Sequence, residues 1–275
     1  MQYKTLNNGL RIPQLGYGVW KVPNEEATSA VKQALESSYR LIDTARVYGN
    51  ETGVGEAISN SNVSREDLFI TTKVRNKEQG YENTLKAFDA SLEKLGLDYV
   101  DLYLIHWPMP KHDMYVETYK ALEKIYKDGR AKAIGVCNFD IEHLERIMGE
   151  CEIKPAVNQV ECHPFLQQTE LKKFCREHDI QLEAYSPLMN GTNVMQESVI
   201  QEIADDYGKT PAQVILRWHL QTDVVVIPKT VTPSRMEENI DVFDFELSAS
   251  DMEKIATLDR NERNNQVPNE NNNME

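Results

Sequence analysis

Four side chains that could act together stand at or just beyond the downstream ends of apolar runs. Asp43 closes Leu41-Ile42-Asp43, and Tyr48 lies in the loop that follows. Lys73 closes Phe69-Ile70-Thr71-Thr72, and His106 follows Leu102-Tyr103-Leu104-Ile105. An acid, a phenol, an amine and an imidazole sharing one cup would suit proton delivery to an oxygen that is becoming an alkoxide. A free tyrosine titrates near pH ~10, too high to cycle readily near neutrality; a lysine ammonium beside it stabilises the phenolate and lowers that value. An aspartate can pair with the lysine and keep it charged, and a histidine can hydrogen-bond a carbonyl and aim it. None of the four supplies a hydride, so chemistry of this kind calls for a bound cofactor. Singly, each has a plainer reading: a strand-end cap, a packing ring, a solvated amine, a structural imidazole. The chemical reading needs all four on one rim.

Such a rim requires strands running in one direction. The sequence alternates short apolar runs with amphipathic stretches almost throughout. Asn7-Asn8-Gly9 is a turn signal between two short alternating segments and predicts an opening β-hairpin. Strands are then predicted at 14–17, 41–43, 68–73, 100–106, 131–137, 156–161, 181–185 and 224–227. Leu85, Phe88, Leu92 and Leu95 lie on one face of a helix over 82–95; Tyr119, Leu122 and Ile125 do the same over 115–126. Strand–helix alternation implies parallel strands. An open dinucleotide-binding sheet would want G-x-G-x-x-G after its first strand, but Gly16-Tyr17-Gly18 leads into Val19-Trp20-Lys21. Eight units without that loop favour a closed (β/α)8 TIM barrel with an N-terminal β-hairpin. In such barrels the active site lies at the C-terminal strand ends. Neighbouring strands are about 4.8 Å apart, so groups leaving three consecutive strands can converge within roughly 10 Å.

At 275 residues, 40% hydrophobic and 27% charged, the chain suits one barrel domain spanning 1–275. The Asn-rich stretch at about 261–275 has almost no apolar content and is expected to be poorly ordered. A net charge of −14 argues against nucleic-acid or anionic-membrane partners. Cys137, Cys151, Cys162 and Cys175 show no C-x-x-C and no metal-ligand spacing. Together with the lack of an apolar leader or of any membrane-length apolar run, this gives the expectation of a soluble cytoplasmic protein with free thiols and no metal.

The segment Leu41-Ile42-Asp43-Thr44-Ala45-Arg46-Val47-Tyr48-Gly49-Asn50-Glu51 resembles a signature of the aldo-keto reductases. Asp101-Leu102-Tyr103-Leu104-Ile105-His106-Trp107-Pro108 and Ile227-Pro228-Lys229-Thr230 resemble two more. With Gly135-Val136-Cys137-Asn138-Phe139, Asn158-Gln159 and Ala184-Tyr185-Ser186-Pro187-Leu188, the similarity runs from about residue 5 to 260. It is strongest to the compact bacterial members that reduce glyoxals and diketogluconates. The resemblance implies an NADPH-dependent reductase, mostly monomeric among the compact members, in which Tyr48 protonates the carbonyl oxygen, Lys73 and Asp43 tune it, and His106 orients the substrate. It implies that the nicotinamide stacks on Tyr185 and that Asn138, Gln159 and Cys137 hold its carboxamide, Cys137 replacing the family's serine with a weaker hydrogen-bond partner. Val19, Asp43, Ser186, Pro187 and Leu188 are further implied cofactor contacts.

The adenosine end is implied by Lys229, Thr230, Val231, Thr232, Arg235, Glu238 and Asn239. Thr232 before Pro233 reads as a helix N-cap, a position that favours anions. Lys229 and Arg235 resemble the pair that grips a 2′-phosphate, and Glu238 and Asn239 would take the adenine. Trp20, Tyr48, His106 and Trp107 would line the substrate mouth. The connections after Trp107 and at 188–194 are short, which predicts an open pocket for small aldehydes, α-dicarbonyls and keto-sugars. Two other classes compete. An NADPH-holding regulatory module would bind the cofactor with little turnover, and a barrel hydrolase or isomerase using Asp43 and His106 would need no nicotinamide.

Overall fold

The computed structural model describes residues 1–191 and 193–274. The chain opens with an antiparallel hairpin of β1 (Tyr3–Thr5) and β2 (Arg11–Pro13). Eight parallel strands follow: β3 (Tyr17–Gly18), β4 (Leu41–Asp43), β5 (Phe69–Val74), β6 (Val100–Ile105), β7 (Ala131–Cys137), β8 (Val157–Glu161), β9 (Gln181–Tyr185) and β10 (Val225–Val226). They pair in sequence order from β3 to β10. A parallel bridge between Leu15 and Val226 brings the two ends of the sheet together. The Gly16 N–H donates to the Val226 carbonyl at 2.8 Å and the Gly18 N–H to the Pro228 carbonyl at 3.1 Å. The result is the (β/α)8 barrel that the alternation predicts. Residues 14–16 join the barrel through β10 alone: the Val226 N–H donates to the Gln14 carbonyl at 3.0 Å, and the Gln14 side chain donates to the Leu220 carbonyl at 2.8 Å.

Helices α1 (Asn24–Glu36), α2 (Glu51–Ser59), α3 (Tyr81–Leu95), α4 (Tyr115–Lys127), α5 (Ile141–Glu150) and α6 (Thr169–Glu177) fill the successive crossovers. The segment between β9 and β10 holds α7 (Ser198–Tyr207) and α8 (Pro211–Gln221), and α9 (Pro233–Ile240) and α10 (Ala249–Ala256) follow the last strand. Each of the crossover helices buries one stripe; in α3 it is Thr84, Ala87, Phe88, Ser91, Leu92 and Leu95.

Side chains alternate across each strand with period two, and this decides what faces the interior. On β6, Tyr103 and Ile105 join the core between strands and helices, whereas Leu102 and Leu104 join the inner cluster with Leu41, Phe69, Ala133, Val157 and Val225. Leu6 and Ile12 of the hairpin belong to that inner cluster too. Asn7 and Asn8 at its turn donate to the carbonyls of Pro155 and Lys132, beside the starts of β8 and β7. The hairpin therefore stoppers the N-terminal end, leaving the C-terminal rim as the mouth. The same parity sends Asp43, Lys73, Cys137, Gln159, Glu183 and Tyr185 inward.

Candidate active site

Asp43 and Lys73 meet just below that rim. Lys73 Nζ donates to Asp43 Oδ1 at 2.6 Å and to the Thr44 carbonyl at 2.9 Å, with both side chains buried. The ammonium lies 5.3 Å from the centre of the Tyr48 ring. Tyr48 meets His106 edge-on, with ring centres 5.8 Å apart. Tyr48 rides on a single helical turn, Arg46–Tyr48, between β4 and α2. Arg46 Nε holds that turn by donating to both oxygens of Glu78 at 2.7 and 2.8 Å, and Gly49, with φ of 70°, redirects the chain into α2. The four residues that the sequence singles out do share one rim.

Electrostatics departs from the simple expectation in one respect. Burial pushes the Tyr48 phenol well above its ordinary range; the Lys73 ammonium pulls it back and Asp43 adds to the rise, so burial wins. Lys73 does oppose the rise, as foreseen, but the resting phenol keeps its proton. For Lys73 itself burial works against the charge, yet Asp43 and Tyr48 outweigh it and raise the ammonium. Burial, reinforced by Lys73, lowers His106 to about 3. The site at neutral pH is thus a protonated phenol, a charged lysine and a neutral imidazole.

A cavity of ≈ 1210 Å³ runs from this cluster across the rim. Asp43, Tyr48, His106, Trp20 and Trp107 line one end, with Val47 and Asn76 beside them. Cys137, Asn138, Gln159, Tyr185, Ser186, Pro187 and Leu188 line the middle. Asn138 is held in a left-handed conformation (φ 63°). Its Nδ2 donates to the His106 carbonyl at 3.0 Å and its Oδ1 accepts from the Tyr185 hydroxyl at 2.7 Å. Both Gln159 Nε2 hydrogens are engaged, with Asp43 Oδ2 and Glu183 Oε2, each at 2.8 Å. The Cys137 thiol, raised by burial, donates weakly to Gln159 Oε1 at 3.6 Å. Lys73 and Val19 stand behind the wall rather than on it; Val19 is fully buried and uses its N–H to reach the Asp43 carbonyl at 3.0 Å.

Lys229, Thr230, Val231, Thr232, Arg235, Glu238 and Asn239 line the far end. Thr232 is the N-cap of α9 with proline in the first turn, as predicted, although its side chain makes no capping bond. Lys229 and Arg235 are exposed, and neither has an ion-pair partner among the described residues. Glu238 is partly engaged by Thr210, whose hydroxyl donates to it at 2.7 Å.

Residues 261–274, the Asn-rich stretch, run across the mouth. The backbone N–H groups of Asn264 and Asn265 donate to the buried Glu161 carboxylate at 2.7 and 3.0 Å. Farther on, Asn76 Nδ2 donates to the Asn273 carbonyl at 2.9 Å and the Lys111 N–H to Asn272 Oδ1 at 2.8 Å. Asn271 and Asn273 join the cavity wall. The sequence carried no periodic signal for this segment. In the 188–194 connection Leu188 and Gly191 line the cavity, and Thr192 lies outside the described residues.

A parallel barrel with an acid, a phenol, an amine and an imidazole at one end of a long rim groove defines a class of cofactor-using barrel enzymes. The chain belongs to the aldo/keto reductase family, whose profile matches residues 13–260. It is 55% identical over 266 residues to the glyoxal reductase of Bacillus subtilis (strain 168), covering 96% of this chain and 95% of that one. It is 50% identical over 259 residues to the methylglyoxal reductase DkgA of Escherichia coli (strain K12), covering 94% of each. Among solved structures, a Gox0644 mutant in complex with NADPH superimposes with a TM-score of 0.94 at 46% identity, covering 98% of both chains. An aldo/keto reductase from Brucella melitensis gives 0.91 at 53% identity, covering 94% of this chain and 99% of that one. No described helix is long and apolar enough to cross a membrane, no described His, Cys, Asp and Glu cluster could hold a metal ion, and all four cysteines are free.

Proposed function

We propose that the chain is an NADPH-dependent carbonyl reductase acting on small aldehydes, ketones and α-dicarbonyls such as glyoxal and methylglyoxal, and on keto-sugars. The observation that carries this is the buried Lys73–Asp43 pair beneath Tyr48, at one end of a groove whose other end offers two cations with no ion-pair partner among the described residues. The donor set suits the dinucleotide. Lys229 and Arg235 present charge where a 2′-phosphate would lie, the α9 N-terminus favours anions, and the groove exceeds the roughly 300–1,000 Å³ typical of drug-sized ligands. Asn138, Cys137 and Gln159 would face the nicotinamide carboxamide beside Tyr185, with Gln159 restricted to accepting through Oε1 because its donors are engaged.

When bound, NADPH supplies the hydride that adds to the carbonyl carbon. The neutral His106 imidazole donates a hydrogen bond to the carbonyl oxygen and fixes its approach. Tyr48 gives its proton to that oxygen as negative charge accumulates there. Lys73 stabilises the phenolate left behind, and Asp43 holds the ammonium in place and charged. Trp20, Trp107 and Val47 would wall a small cup around the acceptor.

The reading is tested by following NADPH oxidation against a panel of aldehydes, dicarbonyls, keto-sugars and quinones, with wild type beside Tyr48→Phe. The variant is expected to bind NADPH normally and to lose about 10²–10⁴-fold in turnover, the range for removing a positioned acid. Glyoxal reduction at the wild-type rate by Tyr48→Phe would remove it from the mechanism. NADPH binding without consumption by wild type would favour a regulatory module instead.

A further inference from the structure

Below the rim one acidic side chain is left unexplained. Glu183 points into the barrel from β9 and is fully buried. Its Oε2 accepts from Gln159 Nε2 at 2.8 Å, and the same nitrogen donates to Asp43 Oδ2 at 2.8 Å. Asp43 gives its other oxygen to Lys73. One amide therefore holds two carboxyl groups, and among the described residues Lys73 is the one cation that acts on Glu183. Two buried anions against one ammonium would leave a negative charge without compensation, a costly state in a dry interior. Glu183 Oε1 has no hydrogen-bond partner among the described residues. A carboxylate would need one there, whereas an acid carrying its proton on that oxygen loses much less by lacking it. Of the two, only Asp43 touches the ammonium, which leaves Glu183 as the carboxyl that needs the proton.

We infer that Glu183 is a positioning residue that keeps its proton and, through the Gln159 amide, fixes the Asp43–Lys73 pair beneath Tyr48. The inference rests on the reductase reading of that site. Burial is the largest influence on Glu183 and Asp43 adds to it, while Gln159 and Lys73 oppose; the balance lifts the group to about 8. The surroundings are fully specified. Strand β8 presents Gln159 and β10 presents the apolar Val225 in register with Glu183. From across the interior come Asp43 on β4, Lys73 on β5 and Cys137 on β7. Tyr48, Lys73 and Cys137 are all held higher than Glu183, so on the alkaline side Glu183 titrates first. Once ionised, it competes with Asp43 for the amide and the ammonium and makes the Tyr48 phenolate harder to form.

The test compares wild type with Glu183→Gln, which cannot ionise and can still accept from Gln159. Wild-type kcat is expected to drop by roughly tenfold for each pH unit above the Glu183 transition, with little change in the carbonyl KM, while the kcat of Glu183→Gln stays level over the same range. A second readout needs no cofactor. A glutamate whose value is raised on folding makes its stabilising contribution at low pH and loses it as pH rises toward the folded value. The Tm of wild type should therefore fall relative to Glu183→Gln between the ordinary glutamate range and about 8 and run parallel beyond. Infrared titration should show a buried protonated-carboxyl band in wild type, missing from Glu183→Gln, that persists at neutral pH and vanishes as pH passes about 8. Superimposable pH profiles, a Tm difference independent of pH, or absence of that band would overturn the assignment. A wild type without NADPH-dependent turnover at any pH would sink the reductase reading instead, and the Tm and infrared results would still decide where the proton sits.

Discussion

At Tyr48 burial and the Lys73 ammonium pull in opposite directions, and burial prevails. In the proposed mechanism the phenol rests as a loaded proton donor, and the lysine would exert its effect only as the proton departs. His106, lowered to about 3, remains neutral through the physiological range and so adds no acid limb of its own. At the far end, Lys229 and Arg235 have no ion-pair partner among the described residues, in a chain that carries 44 acidic residues against 30 basic ones. Arg235→Ala is expected to weaken NADPH binding by about 10- to 100-fold, the loss of a charge-assisted hydrogen bond, while leaving NADH almost unaffected. Fluorescence titration with both nucleotides measures this, and equal losses for the two would exclude a 2′-phosphate contact. Asp43, Lys73 and His106 were legible because each ends an apolar run. Glu183 was not: it sits inside the run 181–185, and only the period-two alternation counted back from Tyr185 would have turned it inward.

Strands and crossover helices were legible because each buries a face with a fixed period. The path of the C-terminal segment was not, since its contacts are polar ones with residues far away in sequence. Glu161 is its anchor, a buried carboxylate accepting from Asn264, Asn265 and the His163 ring. His163 and the two N–H groups outweigh burial and hold Glu161 below its ordinary value. Glu161→Gln leaves a neutral group where two backbone donors converge and should free the segment. Trypsin is expected to cut after Arg260 or Arg263 several-fold faster than in wild type, with a raised carbonyl KM because Asn271 and Asn273 leave the cavity wall. Unchanged cleavage and KM would show that Glu161 does not hold it.

The molecule as a whole carries −14, a field that disfavours a polyanionic dinucleotide, so affinity must come from the local cradle rather than from long-range attraction. A ligand bound only by the folded barrel stabilises it by mass action, about 2.7 kcal/mol at a hundred times Kd. NADPH should therefore raise Tm by a few degrees, more than NADH at equal concentration; an unmoved Tm at saturating NADPH would contradict a preformed groove. The seam between first and last strands gives that coupling a direction. The Tyr17 hydroxyl donates to the Thr230 carbonyl at 2.6 Å, and Gly18 and Gly16 donate to Pro228 and Val226. A nascent chain still on the ribosome cannot make these stitches until nearly all of its length has emerged. The end of the groove that carries Lys229 and Arg235 is thus among the last parts of the barrel to form, and nucleotide capture by newly made protein would time the moment at which the circle of strands is complete.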